Sequence, residues 1–249
     1  MKLWSTLILL RVSWLCSIPL LVLIFPQALY VKKKTLRLDE AYGSKQGVLA
    51  GTGPNLRILH TGESTVAGVG VDKIESGLTV QIAQELNKSS QREIQWQIHG
   101  VNGIKLKELL ESLKNNPPER CDIALISMGV NDTSKLTSLS SWTKSVTQAI
   151  HLLQPVTHGA IIFTQVPPMM QFPALPAPLK YFLGLRSTIL DLALKKACHK
   201  HPNVYYVGSE PKVEAHFMAK DGYHPSAQGY SEWAKTIAPE ILTFYRNSR

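Results

Sequence analysis

The sequence has few cysteines, and they form no recognisable pattern. The chain of 249 residues contains three of them, Cys16, Cys121 and Cys198. Cys121 and Cys198 lie in apolar stretches, where buried free thiols are common. No pairing framework of a small secreted domain is present, and no Cys/His spacing is typical of zinc. The cysteine count therefore excludes a disulfide scaffold, and we expect no bound metal.

Charged residues are also scarce, at 18% of the chain against 44% hydrophobic residues. This balance excludes an intrinsically disordered or collagen-like protein. The length indicates one domain with a small appendage, large enough to bury a core without covalent or metal staples.

Acidic residues are missing from the first 34 positions, which hold Lys2, Arg11 and three consecutive lysines at 32–34. The net charge of +9 and the pI near 9.4 would by themselves suggest a nucleic-acid partner. Most of that excess, however, flanks this one segment. The rest of the chain has no basic recognition helix and no interleaving of aromatic and basic residues, so we expect no nucleic-acid partner.

The 20 residues 12–31 carry no charge at all. A helix of that length crosses the roughly 30 Å hydrocarbon core of a bilayer. We therefore predict a single-pass membrane anchor within residues 1–34. A cleaved signal peptide is the alternative, but the nearest candidate cleavage site follows Ala28 and has Pro26 at the minus-three position, which is unfavourable. A buried core helix is a third interpretation.

The side of the membrane stays open at this stage. More basic residues follow the span than precede it, which favours a cytoplasmic main domain by the positive-inside rule. The start of the chain resembles an export signal and favours the opposite orientation. The residues that enter this count are Lys2, Arg11, Lys32, Lys33, Lys34 and Arg37.

After a polar linker predicted over residues 35–54, apolar strand patterns alternate with helical patterns through a main domain at 55–249. The strands are predicted at 56–62, 94–100, 121–129, 159–166 and 204–208. The helices are predicted at 78–87, 105–115, 139–154, 180–201 and 226–245. Alternation of this kind predicts an α/β domain whose parallel sheet is covered by helices on both faces.

Polar segments follow the predicted strands, where ligands bind in such sheets. Singly, each has an ordinary structural explanation as a turn or as the N-cap of a helix. The first would place Ser64 at a strand-to-helix turn, with the amino end of a helix beneath it. The segments are GESTVAG at 62–68, GVNG at 100–103, GVND at 129–132 and DGYHP at 221–225.

Taken together and in this order, these motifs resemble those of the SGNH hydrolases, also called the GDSL family of esterases and lipases. The resemblance covers about residues 56–245. It implies a flavodoxin-like, three-layer α/β/α sandwich with a five-stranded parallel sheet. It also implies a serine ester hydrolase that works through an acyl-enzyme on Ser64, without a metal or an organic cofactor.

The resemblance assigns the roles of catalytic residues one position at a time. Ser64 matches the nucleophile, and Asp221 and His224 match the paired acid and base. A serine hydroxyl needs such a base, because it is a poor nucleophile when neutral. Histidine can accept the proton and return it, while the aspartate fixes the tautomer of the imidazole ring.

An oxyanion hole is implied as well. Its expected donors are the Ser64 N–H, the Gly103 N–H and the side-chain amide of Asn131. Gly100 is the fallback for Gly103 in the same segment. The family usually has aspartate before the nucleophilic serine, whereas this chain has Glu63. We expect Glu63 to act as a structural carboxylate of the loop.

The substrate is suggested only by a proline-rich segment at 167–179, whose Met, Phe and Leu side chains are suited to line an acyl pocket or to touch a membrane surface. Packing of this loop on its own domain is the other interpretation. With a membrane anchor nearby, lipid-like esters are favoured. Carbohydrate O-acetyl esters are the main alternative, and a non-catalytic binding module on the same fold is a more remote one. The oligomeric state stays open.

Overall fold

The computed structural model describes residues 2–208 and 214–249, and its side chains from Thr6 onward. Six β-strands form one sheet: β1 Gln46–Leu49, β2 Gly53–Gly62, β3 Arg92–Gly100, β4 Cys121–Ser127, β5 Thr157–Thr164 and β6 Val204–Val207. Eight α-helices accompany them: α1 Lys2–Cys16, α2 Leu21–Lys34, α3 Leu78–Ser90, α4 Leu106–Asn115, α5 Val130–Ser134, α6 Leu139–Leu153, α7 Leu179–Cys198 and α8 Ala227–Asn247.

The sheet has the strand order β1-β3-β2-β4-β5-β6. Strands β2 to β6 are parallel, so the five predicted strands and their shared direction are confirmed. The sixth strand, β1, pairs antiparallel with β3 at the edge and lies inside the segment predicted as a linker. Its four residues alternate between exposed and half-buried. A strand so short and so exposed gives almost no periodic signal in the sequence.

Helices cover both faces of the sheet, as the continuous apolar strands require. On one face, α3 and α8 pack through side chains such as Leu86, Trp233 and Ile237. On the other face, α4, α6 and α7 pack through side chains such as Leu110 and Trp142. The chain therefore forms the three-layer α/β/α arrangement expected from its sequence.

The N-terminal segment consists of α1, a short 3₁₀ helix at Ile18–Leu20, and α2. Pro19 lies within the break, where it lacks a backbone N–H and obstructs the preceding turn. Residues Thr6–Lys34 are long and apolar enough to cross a membrane, and few of them are buried. A membrane anchor and a signal peptide both fit this finding. A core helix does not, because most of the apolar side chains face outward.

Candidate active site

Ser64 lies in a tight turn directly after β2. Ala67 N–H donates to the Glu63 carbonyl over 3.1 Å, which closes one helical turn around Ser64, and Val69 N–H donates to the Ser64 carbonyl over 2.9 Å. The turn does not continue into a helix, because Gly68 adopts a left-handed conformation with φ of +77°. The next α-helix begins only at Leu78. The prediction of a helix amino end beneath Ser64 is therefore wrong, and an isolated turn presents the hydroxyl.

Asp221 and His224 reach Ser64 from the loop before α8. His224 Nε2 lies 2.9 Å from Ser64 Oγ, and His224 Nδ1 lies 2.6 Å from Asp221 Oδ2. The second oxygen, Asp221 Oδ1, accepts the backbone N–H groups of Tyr223 (2.9 Å) and His224 (3.1 Å). These bonds hold the carboxylate in place, so the three side chains form one continuous hydrogen-bonded line.

Two opposing effects act on the pKa of Asp221. Burial by itself would raise this pKa, since it penalises the charged form. The hydrogen bonds from the His224 ring and from the backbone of Tyr223 and His224 outweigh burial and lower the pKa below its ordinary value. Asp221 is therefore ionised at neutral pH, as a partner for an imidazolium must be.

Of the two glycines considered for the oxyanion hole, only Gly103 lines the cavity that contains Ser64. Lys135 Nζ donates to the Gly103 carbonyl over 2.6 Å and so ties down this part of the loop. Gly100 instead packs against the turn that carries Ser64, where an added Cβ would lie 2.4 Å from the Ala67 nitrogen. The backbone N–H groups of Ser64 and Gly103 donate to no other atom within residues 2–208 and 214–249, which leaves both available to a ligand.

Asn131 lines the same cavity from the short helix α5. Its side-chain amide donates to Glu63 Oε2 over 2.5 Å, and its backbone N–H donates to the same oxygen over 2.9 Å. Glu63 Oε1 accepts the backbone N–H of Val130 over 2.8 Å. Glu63 thus positions Asn131, and one amide hydrogen of Asn131 remains for an oxyanion.

Glu63 is almost completely buried, and this burial raises its pKa to about 7. The hydrogen bonds from Asn131 and Val130 oppose the rise, and the nearby Asp132 adds to it. All three hydrogen-bond donors to Glu63 are N–H groups, which suit an ionised carboxylate. Protonation of Glu63 would weaken at least one of these contacts.

A second buried titratable group, His60, lies in β2, four residues before Ser64. Burial lowers its pKa to about 3, so the ring is neutral. Its two nitrogens lie 2.8 Å from Thr79 Oγ1 and 2.9 Å from Ser127 Oγ. His60 therefore links β2 to α3 and β4 and does not touch the substrate cavity.

The cavity beside Ser64 has a volume of about 720 Å³, within the usual range of small-molecule sites. Its polar end holds the five residues predicted from the motifs. Most of the remaining wall is apolar and comes mainly from the proline-rich loop, from α7 and from α2, the last of which was not predicted to take part. Lys32, Thr35 and Arg37 also line the cavity. The principal apolar residues that line it are Ile24, Ala28, Val31, Met169, Phe172, Leu175, Leu179, Phe182 and Leu183.

This arrangement can activate a hydroxyl beside a set of N–H donors and an apolar pocket. The sequence profile of the GDSL-like lipase/acylhydrolase family matches residues 61–231, which include Ser64, Gly103, Asn131, Asp221 and His224. A search of curated proteins finds no match to this chain.

Several solved structures resemble the chain. A member of the lipolytic G-D-S-L family from Veillonella parvula is 16% identical, with a TM-score of 0.58 over 75% of this chain and 98% of that chain. A lipase from a goat rumen metagenome is 16% identical, with a TM-score of 0.57 over 78% and 99%. A variant of an acetyl xylan esterase from Geobacillus stearothermophilus is 16% identical, with a TM-score of 0.56 over 77% and 96%.

At these identities the solved structures show a shared fold, and the family assignment comes from the sequence profile. That profile spans more than half of the chain and includes the turn that carries Ser64, the Asn131 segment and the Asp221–His224 loop. The chain therefore belongs to the GDSL-like lipase/acylhydrolase family and is an ester hydrolase.

Proposed function

We propose that the protein hydrolyses carboxylic esters of apolar acyl chains through an acyl-enzyme on Ser64. The observation that carries this proposal is the hydrogen-bonded line from Ser64 through His224 to Asp221 at the end of an apolar cavity. Each member has the chemistry that its place in the line requires.

In the first half of the reaction, His224 Nε2 takes the proton of Ser64 Oγ as this oxygen attacks the ester carbonyl carbon. Negative charge then develops on the former carbonyl oxygen. The N–H groups of Ser64 and Gly103 and the side-chain amide of Asn131 stabilise that charge. His224 returns the proton to the leaving alcohol as the carbon–oxygen bond breaks, which leaves an acyl group on Ser64.

In the second half, water enters at the place that the alcohol has left. His224 accepts a proton from this water, whose oxygen attacks the acyl carbon. The same N–H donors stabilise the second oxyanion, and the proton returns to Ser64 Oγ as the carboxylic acid departs. Throughout, Asp221 keeps the His224 ring in one orientation and stabilises its positive charge.

The composition of the cavity supports esters of longer, apolar acyl chains over carbohydrate O-acetyl esters. Aliphatic and aromatic side chains form most of its wall, and an acetyl group would leave most of its 720 Å³ unfilled. A sugar needs polar partners for its hydroxyl groups. Apolar side chains outnumber such partners in the wall, although Lys32, Thr35 and Arg37 also line the cavity. The acetyl xylan esterase among the similar structures keeps the carbohydrate ester as the second candidate.

We also propose that the N-terminal segment is a retained membrane anchor. Apart from Arg11 and the lysines at 32–34, most outward side chains of α1 and α2 are apolar, which suits contact with lipid. The inward side chains of α2 contact the main domain beside the cavity. A cleaved signal peptide would make no such contacts in the mature protein.

The full-length chain in detergent micelles provides the test of ester hydrolysis. Ser64→Ala should reduce hydrolysis of p-nitrophenyl esters to background while preserving the circular dichroism spectrum. A fluorophosphonate probe should label the wild type and not this variant. Ser140→Ala, which changes an exposed serine of α6, is the matched control and should keep full activity. Full activity of Ser64→Ala would overturn the assignment, and an unlabelled, inactive wild type would favour a binding module.

A further inference from the structure

Helix α2 contacts the main domain along one narrow face. Ile24 is 3% exposed and Val31 is 8% exposed, whereas their neighbours Val22 and Leu23 are 79% and 64% exposed. Residues seven apart lie on the same face of a helix. The buried face is therefore a specific contact surface, and the opposite face is left for a lipid or detergent environment.

A single polar side chain fixes how this face is seated. Gln27 Nε2 donates to the Ala177 carbonyl over 2.7 Å, and Gln27 Oε1 accepts the Leu179 N–H over 2.9 Å. Leu179 is the first residue of α7, whose N–H has no partner within its own helix. One amide thus satisfies two backbone groups about 150 residues away, and this pair of bonds specifies both the depth and the rotation of α2.

The contact continues into α1. The Trp14 ring lies with its centroid 5.3 Å from that of Phe182, and the Arg186 guanidinium lies 4.7 Å from the centroid of Trp14. Both partners belong to α7, which also contributes Phe182 and Leu183 to the cavity wall. The N-terminal segment is therefore packed on the helix that shapes the cavity.

The inner face of α2 is itself part of that cavity. Ile24, Ala28 and Val31 line it together with apolar residues of the proline-rich loop and α7, against which they also pack. Without α2, the apolar end would be a groove open to its surroundings. An anchor that served only to hold the protein at a membrane would need neither the Gln27 contacts nor a place in the wall.

We propose that α2 is a wall of the acyl-binding site, and that Ile24, Ala28 and Val31 determine which acyl chains are accepted. The substrate class is esters of medium- or long-chain fatty acids, whose hydrocarbon tail lies between α2 and α7. This inference rests on the proposed ester hydrolysis at Ser64, and it deepens that proposal by making the N-terminal segment part of the enzyme's specificity.

The experiment compares two substitutions at adjacent positions of α2 in the full-length chain in detergent micelles. Ala28→Phe places a ring into the cavity, whereas Leu29→Phe places the same ring on the outer face, where Leu29 is 52% exposed. The measurement is kcat/KM for p-nitrophenyl esters from acetyl to hexadecanoyl. Ala28→Phe should lower the ratio of decanoyl to acetyl hydrolysis at least about tenfold, as expected when a few methylenes lose their pocket. Leu29→Phe should leave this ratio unchanged.

A second pair of variants covers the case in which Ala28→Phe does not fold, as judged by loss of fluorophosphonate labelling. Gln27→Leu removes both hydrogen bonds to the start of α7, and Ile24→Ala widens the cavity. Both should raise KM for decanoyl esters relative to acetyl esters. The inference would be overturned if those of Ala28→Phe, Gln27→Leu and Ile24→Ala that fold kept the wild-type dependence of kcat/KM on acyl-chain length. Ester hydrolysis at Ser64 would be unaffected by that result. Failure of the wild type to hydrolyse any ester would instead overturn the proposed function.

Discussion

The cavity beside Ser64 has a polar half whose members are held by hydrogen bonds, and an apolar half whose members are held by side-chain packing. The polar half comprises Ser64, Gly103, Asn131, Asp221 and His224. The apolar half comprises Ile24, Ala28, Val31, Phe172, Leu175 and Phe182. Bonds of 2.5–3.1 Å connect the members of the first set or join them to Glu63 and nearby backbone. The second set is joined mainly by van der Waals contact.

In the proposed reaction, this difference separates two properties of the enzyme. We expect the polar half to act on the reacting carbonyl, which is the same in every ester, and so to set the rate for all substrates. We expect the apolar half to act on the acyl tail, and its shape to set the choice among substrates. A substitution in the polar half should therefore lower acetyl and decanoyl hydrolysis by the same factor, unlike a substitution in α2.

The largest effect that distinguishes the halves is expected for Asp221→Asn. The neutral amide cannot stabilise an imidazolium, and it favours the wrong tautomer of His224. We expect kcat to fall by about 10³–10⁴, equally for acetyl and decanoyl esters. Asp39→Asn, at an exposed position, is the control and should have no effect. A loss confined to long-chain esters would contradict the division of the cavity into two halves.

A smaller effect is expected for Asn131→Ala, which removes one oxyanion donor and leaves the other two. We expect kcat to fall by about 10²–10³ with little change in KM, since the lost hydrogen bond matters most in the transition state. Asn116→Ala, an exposed asparagine after α4, is the matched control. If KM rose instead and kcat held, Asn131 would contribute to ground-state binding and would belong functionally with the apolar half.

The two halves also differ in how far the sequence predicts them. The residues of the polar half follow strands, and parallel strands bring their carboxyl ends to one edge, so motif spacing and topology together predict their proximity. The isolated turn at Ser64 was missed, because the left-handed Gly68 that ends it leaves no periodic signal. Glu63 was expected to be structural, but its specific partner, Asn131, depends on how two loops meet.

Much less of the apolar half could be predicted from the sequence. The pattern of residues 12–31 predicts a membrane span, but an uncharged stretch does not indicate which face of the helix contacts protein. Gln27 was the one available signal, as an amide within that stretch, but its partners in the backbone at Ala177 and Leu179 have no side-chain pattern. The proline-rich loop was expected to lie beside the active site and does line the cavity, whereas a contribution from α2 was not expected.

The pH dependence of stability gives the smallest effect and concerns the carboxylate beneath the polar half. The pKa of Glu63 is raised from 4.5 to about 7 by burial, so the folded chain binds more protons than the unfolded chain between these values. Stability must then fall as pH rises through this window. The free energy of unfolding of the wild type, minus that of Glu63→Gln, should decrease between pH 4.5 and 8 by no more than about 3 kcal/mol. The neutral His60 is common to both proteins and cancels in this difference.

Glu108→Gln supplies a control of opposite sign. The backbone N–H of Lys105 donates to Glu108 over 2.9 Å and lowers its pKa, so its contribution is lost only as pH falls below about 4.5. Denaturant unfolding of the wild type, Glu63→Gln and Glu108→Gln should therefore be measured at pH 5 and pH 8. The difference in the free energy of unfolding from the wild type should change between these pH values for Glu63→Gln alone. A constant difference at Glu63 would mean that its three N–H donors fully offset its burial. The contacts that position Asn131 would then be independent of pH in this range.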